Sequence, residues 1–392
     1  MRLFKLTDRM NLLQAEGAYQ VLSKAQELEK AGKEIIHFEI GQPDFATPSN
    51  ISRSAIKAIK DGKTKYNPPL GLQELRQVIA NYVTKARKVE VSKDMVAVTP
   101  SGKTAIFAAM AAVLNEGDEV IYPDPGFPTY EALIDFFGAK RKSVPLLEEN
   151  SFSFDMKAFS KLFSKKTKVI ILNSPSNPTG GVMPKKDLEG ITKTIKNTNS
   201  WVITDEMYSR ILYDGKEYES IYSLSGMKKR TILVDGFSKT YAMTGWRLGY
   251  LVMPEHLIEK MDYLLTHMVG CTATFTQYAG IEAFNGPQFG VSLMVKEFEK
   301  RRNFIVDQLN KIPGISCQKP EGAFYVFPNI KKFKKSSREI ANLILEKGGV
   351  ALLPGTAFGK YGEGYLRISY ATSLENIKKG IERIKKTLRK IV

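Results

Sequence analysis

Four short stretches carry residues whose types and spacing could do chemistry. In DGFSKTYAMTGWRLGY, Lys239 stands among Phe237, Tyr241, Ala242 and Met243. Apolar surroundings disfavour an ammonium, which favours a nucleophilic amine able to condense with an aldehyde as a Schiff base. Arg247 follows between Trp246 and Leu248, and its guanidinium suits a bound phosphate. In SWVITDEMYSRILY, Asp205 ends an apolar run. A carboxylate there is costly unless it meets a cation, such as a protonated pyridine nitrogen. Tyr208, one helical turn further on, could face the same site. Asn177 in NSPSNPTGGV sits in a Pro- and Gly-rich turn and could donate its amide hydrogens to a ligand oxygen. In VAVTPSGKTAIFAAM, Ser101, Gly102 and Lys103 open an apolar helix-like run, and free N–H groups at a helix start suit a phosphate.

Each stretch also has an ordinary explanation. Lys239 could be a surface lysine with a buried stem, Arg247 structural, Asp205 and Ser101 helix caps, Asn177 part of an Asn-Pro turn and Tyr208 a core aromatic. "GKT" is also the tail of an ATP-binding loop. That motif needs a Gly five residues before Gly102, and the position holds Ala97. No stretch decides the matter by itself.

The elements that must position these residues can be read from periodicity. Candidate strands fall at 95–99, 119–122, 168–172, 201–204 and 231–235, separated by helix patterns such as 72–86 and 105–114. Short apolar strands alternating with helices imply an α/β fold: a three-layer large domain with a mostly parallel sheet. From about Phe289 the pattern changes to a long amphipathic helix at 291–312, short strands in ISCQ, AFYVFP, VALLP and YLRISYA, and a Lys-rich last helix. That implies an added, smaller α+β domain. The division expected is 1–45 for an N-terminal arm, with a helix at 17–30, and part of the small domain, 46–288 for the large domain, and 289–392 for the small one. In open α/β sheets ligands sit beyond the carboxyl ends of the strands. Ser101-Gly102-Lys103, PDPGFP, NSPSNPTG, Asp205 and Ser238-Lys239 each follow or end a candidate strand, so the chemistry gathers on one edge.

Bulk properties narrow the classes. The chain has 392 residues, 43% of them hydrophobic, enough for a real core. Its net charge is +17, but Lys and Arg are interspersed with Asp and Glu, so the charge reads as solvated surface and not as a nucleic-acid footprint. Cys271 and Cys317 lie far apart with no CxxC, and His37, His256 and His267 are scattered. A disulfide framework, a metal site and a histidine-based triad are therefore not supported. The start, MRLFKLTDRMNLLQ, is broken by charges, and the run IFAAMAAVL is too short to span a bilayer. The expectation is a soluble cytoplasmic protein without a membrane partner.

Taken together, SKTYAMTGWRLGY, NSPSNPTGG and DEMY, supported by IGQPDF, KTKYNPPLG and GAFYVF, resemble one family. The chain is similar to the fold-type I, class I aminotransferases that depend on pyridoxal 5'-phosphate, the aspartate aminotransferase-like group. The likeness runs from about Ala18 to the C-terminus. It implies that Lys239 holds the cofactor aldehyde and moves the substrate Cα proton. Asp205 would pair with the pyridinium nitrogen, Asn177 and Tyr208 would hold the ring's phenolic oxygen, and Phe127 would stack on its face. The phosphate would meet Ser101, Gly102, Lys103 through its backbone, Ser238 and Arg247. Gly236 stands where many relatives have a further Ser, and PPLG replaces the usual PTAG or PPAG. Tyr66 would reach the phosphate in a neighbouring subunit, which implies a homodimer with shared sites. Gly41, Asn177 and Arg367 would meet the substrate, Arg367 clamping its α-carboxylate.

The implied activity is transfer of an amino group between an amino acid and a 2-oxo acid, with aspartate and 2-oxoglutarate as first choice. Alanine, aromatic or other amino acids, or carbon–sulfur lysis on the same fold, are the alternatives. A regulator with an inactive domain of this kind is the non-enzymatic alternative.

Overall fold

The structure is a computed structural model that describes residues 5–13 and 15–389. The chain opens with α1 (Asp8–Asn11), α2 (Gly17–Lys30) and β1 (Ile36–His37). It continues through α3 (Ser49–Lys60), α4 (Gln73–Arg87), β2 (Val96–Thr99), α5 (Gly102–Val113), β3 (Glu119–Asp124), α6 (Pro128–Phe136) and β4 (Lys140–Leu147). Next come β5 (Ser153–Phe154), α7 (Met156–Leu162), β6 (Thr167–Asn173), α8 (Lys185–Ile195), β7 (Trp201–Asp205), β8 (Thr231–Gly236), β9 (Gly249–Val252), α9 (Ile258–Met268) and α10 (Thr274–Asn285). The last part comprises α11 (Phe289–Asn310), β10 (Tyr325–Val326), α12 (Ser337–Gly348), β11 (Val350–Ala351), β12 (Leu353–Pro354), β13 (Leu366–Ser369) and α13 (Leu374–Leu388).

Among the described residues, eight strands form one sheet in the order β2-β9-β8-β7-β6-β3-β4-β5. The pairs β3–β4, β3–β6, β6–β7 and β7–β8 are parallel. Strands covered on both faces read as continuous apolar runs, and β2, β3 and β8 are buried along their whole length. β9 runs antiparallel to both β2 and β8. This reversal brings its N-terminal end, not its C-terminal end, to the edge where the parallel strands finish. Arg247, two residues before β9, arrives there by that route.

Helix α5 shows how the sheet is approached closely. Its sequence, GKTAIFAAMAAV, is apolar nearly all round, and Ala105, Ala108 and Ala109 are fully buried. Small side chains let the helix axis sit near the strands, and Ile106, Met110 and Val113 fill the space with Val120, Ile203 and Val234. The smaller assembly carries the β10-β13-β12 sheet and the parallel pair β1–β11. Its core joins Phe298, Ile305, Leu309, Ile340, Ile344, Ile377 and Ile384 with Ile36 and Phe38 from the N-terminal part.

The helix expected at 17–30 is α2, and the strands expected in the large sheet are all present, extended or trimmed by one or two residues. ISCQ differs. It forms only an isolated bridge between Ser316 and Asn329. The Asn310 side chain accepts from the Cys317 N–H and donates to the Cys317 carbonyl, occupying groups that a neighbouring strand would pair. The segment after Asp205 also differs, forming turns where a helix is expected.

Candidate active site

A cavity of about 610 Å³ lies beyond the carboxyl ends of β2, β3, β6, β7 and β8. Its lining includes every residue expected at the site except Tyr66: Gly41, Ser101, Gly102, Lys103, Phe127, Asn177, Asp205, Tyr208, Ser238, Lys239, Arg247 and Arg367. A neighbouring groove of about 750 Å³ shares Glu16 and Phe127 but holds none of Lys239, Asp205 or Arg367.

Lys239 follows β8, and its ammonium donates to the Gly41 carbonyl at 2.7 Å. Burial, then the positive charges of Arg367, Arg247 and Lys103, push its pKa down to about 8. Gly41 also packs against Tyr325. A Cβ there would lie 2.1 Å from Tyr325 Oη.

Asp205 ends β7 and is buried. One carboxylate oxygen accepts from Tyr130 Oη at 2.6 Å and the other from the Met207 N–H at 3.1 Å. Burial raises its pKa to about 6, against the lowering effect of both hydrogen bonds. The Met207 contact is the capping role open to such an Asp, here on a turn. Tyr208 reaches the cavity from that turn, and its hydroxyl meets Tyr325 Oη at 2.6 Å.

Helix α5 starts at Gly102, with Ser101 Oγ accepting from the Thr104 N–H and Ser101 O from the Ala105 N–H. The N–H groups of Gly102 and Lys103 stand outside the helix's own ladder and at the positive end of its dipole. A Cβ on Gly102 would meet Met207 Cε at 2.4 Å. Ser238 is buried beside Lys239. Arg247 is exposed and donates to the Thr244 carbonyl at 2.7 Å. Ser101, Ala242 and Arg247 take φ of 146°, 52° and 56°, a strain that tends to gather at functional sites.

Asn177 follows β6. Its N–H donates to Asn173 Oδ1 at 2.9 Å, while its own buried amide oxygen has no partner among the described residues. Arg367 in β13 is buried, and its Nη2 donates to the Glu39 carbonyl. Its guanidinium lies 4.8 Å from the Tyr325 ring centre and 5.3 Å from that of Phe358, and its buried Nε has no partner among the described residues. Phe127 meets Tyr130 edge to face, with ring centres 5.6 Å apart. The Lys103 ammonium sits 5.3 Å from the Phe127 ring centre and pairs with Glu16 at 2.6 Å.

Tyr66 stays outside this cavity and is 96% exposed. Tyr130, Tyr325 and Glu16 line the cavity beyond the residues that the sequence points to. Tyr130 had a readable signal: Pro128 at the first helical position makes α6 start beside Phe127, so Tyr130 falls one turn on. Tyr325 and Glu16 had none, because they come from segments distant in sequence.

The family model described as "Aminotransferase class I and II" matches residues 33–384. An aspartate aminotransferase from Pyrococcus abyssi is 40% identical over 387 residues, covering 98% of each chain. Aromatic-amino-acid aminotransferase 2 from Thermococcus litoralis is 38% identical, again over 98% of each. Among solved structures, the aspartate aminotransferase from Thermus thermophilus with maleate superposes with a TM-score of 0.93 at 33% identity, over 98% of this chain and 100% of that one.

Proposed function

This chain belongs to the class I and II aminotransferases, which act with pyridoxal 5'-phosphate, and from that premise we propose that its preferred donor is aspartate and its acceptor 2-oxoglutarate. The residues present fit the cofactor. Asp205 offers a buried carboxylate to a ring cation, Asn177 an amide N–H donor at the cavity wall, and α5 the backbone N–H groups of its first turn. When bound, the cofactor supplies an electron sink that makes the substrate Cα–H acidic.

In this reading each group has one task. Lys239, with its amine poised near pH 8, takes the Cα proton and returns it on the other side of the transfer. Asp205, held by Tyr130 and Met207, keeps the ring nitrogen protonated. Ser101, Gly102, Lys103 N–H, Ser238 and Arg247 hold the phosphate; Tyr208 and Asn177 hold the phenolic oxygen; Phe127 lies against the ring. Arg367 binds the α-carboxylate, its free Nε giving it a donor to spare. Gly41 lets the backbone approach the substrate.

The observation that carries the choice of donor is the Lys103 ammonium. Among the described residues, four cations line the cavity, namely Lys103, Lys239, Arg247 and Arg367. With Lys239 on the proton, Arg247 on the phosphate and Arg367 on the α-carboxylate, Lys103 remains for a distal carboxylate. A panel of amino donors against 2-oxoglutarate, read by keto-acid formation, tests this. Lys103→Met should lower kcat/KM for aspartate by about tenfold or more, the worth of a charged hydrogen bond, and leave alanine nearly unchanged. Equal losses for both donors would overturn the assignment.

The aromatic lining of the cavity by Tyr19, Phe127 and Tyr325 favours a second reading, in which aromatic donors are also accepted. Phenylalanine turnover in the same panel decides it.

We also read the protein as a homodimer with shared sites. Lys65 O accepts from Thr274 Oγ1, and Asn67 donates to Thr272 O and Thr274 Oγ1, so the loop is pinned on both sides of the exposed Tyr66 ring. An aromatic ring held out in this way suits a second copy.

A further inference from the structure

The Glu16–Lys103 pair serves neither of the helices it joins. Glu16 precedes α2, and its side chain makes no capping bond to that helix. Helix α2 is fastened to the smaller assembly: Gly17 lies against Ala357, and Lys24 pairs with Glu346 at 2.7 Å. Lys103 belongs to the first turn of α5, against the large sheet. The 2.6 Å contact between them therefore crosses the cavity mouth, with the Glu16 side chain 23% and the Lys103 side chain 47% exposed.

Glu16 is also a carboxylate facing cations. It lines the same cavity as Lys103, Lys239, Arg247 and Arg367, and among the described residues the only other carboxylate there is Asp205, at the far strand end. Its charge acts favourably on Arg367. It thus stands where a ligand carboxylate would stand, and on the cation left free in the reading above.

A dicarboxylate entering the cavity brings two negative groups. One meets Arg367. The other can reach Lys103 only beside Glu16, and two carboxylates on one ammonium repel each other over a few ångströms. We propose that Glu16 is a specificity-determining residue that neutralises Lys103 when the bound side chain is uncharged and is displaced from it when the side chain is acidic. Exchange conserves charge: one ion pair is broken and one is made. The Phe127 ring face supports the Lys103 ammonium while the exchange takes place. An apolar or aromatic side chain leaves the Glu16–Lys103 pair intact and meets no unpaired cation. One cavity can then take both kinds of donor, with the acidic kind held less tightly than Lys103 alone would allow. This inference rests on the assignment of Lys103 to the distal carboxylate.

The test is binding of maleate, a dicarboxylate with no amino group, and of 3-phenylpropionate to the holoenzyme, by titration calorimetry at low salt. Wild type, Glu16→Gln and Glu16→Ala are compared, with melting curves to check folding. Maleate should bind about fivefold more tightly to both variants, the worth of one partly exposed ion pair. The affinity for 3-phenylpropionate should stay within about twofold of wild type on the same grounds. Unchanged or weaker maleate binding in the variants, with wild type binding normally, would overturn the role of Glu16 alone. Equal tightening for both ligands would also overturn it, since that is a general charge effect. Maleate binding to none of the three would remove the Lys103 assignment as well, while the donor panel still decides the reaction.

Discussion

The proposed chemistry depends on two ionisable side chains held away from their ordinary behaviour. Lys239 is pushed down to about 8 chiefly by burial, so its amine is available close to neutral pH. Asp205 is pushed up to about 6 by burial, which works against its task of staying charged. Tyr130 opposes that cost by donating a 2.6 Å hydrogen bond to the carboxylate, and in the proposed site it would act on the cofactor ring through Asp205. The sign of its removal follows. Tyr130→Phe takes away a bond that favours the charged form, so the Asp205 pKa rises further and the carboxylate protonates at higher pH. The acid limb of the kcat profile should move to higher pH, and kcat at neutral pH should fall by about tenfold, a charged hydrogen bond's worth. A reduced kcat with an unmoved acid limb would mean that Tyr130 only packs.

At the scale of elements, the proposed phosphate end of the site is built by two devices. Helix α5 presents N–H groups at its start, and the antiparallel strand β9 carries Arg247 to the same edge. Backbone donors survive a side-chain change; a guanidinium does not. Lys103→Ala should therefore leave pyridoxal-phosphate affinity within about threefold of wild type, since a partly exposed charge is worth little. Arg247→Ala should weaken it by about tenfold or more, since a charge-assisted bond is lost. Cofactor titration into resolved protein, followed by absorbance, measures both. Comparable losses in the two variants would show that the ammonium, and not the Lys103 N–H, meets the phosphate.

At the scale of the molecule, the site joins pieces far apart in sequence. Arg367 and Tyr325 come from the β10-β13-β12 sheet, Gly41 and Glu16 from the N-terminal part, and Lys239 and Asp205 from the large sheet. The proposed second copy adds Tyr66. If the sites are shared, a Tyr66→Ala chain and a Lys239→Ala chain should complement each other. Lys239→Ala alone should have lost its proton-transfer group and turn over about 10²- to 10⁴-fold more slowly. In a mixed dimer, one site regains both Lys239 and the partner's Tyr66. Activity should rise above that of either variant after mixing through a dissociation step, and sedimentation should report a dimer. A monomer in solution, or no gain on mixing, would refute the shared site.

The sequence by itself determined the strand–helix alternation and the gathering of reactive residues at strand ends, and it named about half of the side chains around the cavity. These are local matters. Burial on both faces makes a parallel strand continuously apolar, and a Lys, Asp or Asn just past its end marks the ligand edge. The tertiary structure alone decided what those side chains meet. It placed Tyr130 on Asp205, Tyr325 on Tyr208 and Glu16 on Lys103, contacts between residues 75, 117 and 87 positions apart. It also turned ISCQ from a strand into a stretch paired by Asn310. Periodicity and motif spacing report what a segment does with its neighbours in sequence. The charge state of a buried carboxylate or the partner of an ammonium depends on which distant segments the fold packs against it, and no local pattern encodes that.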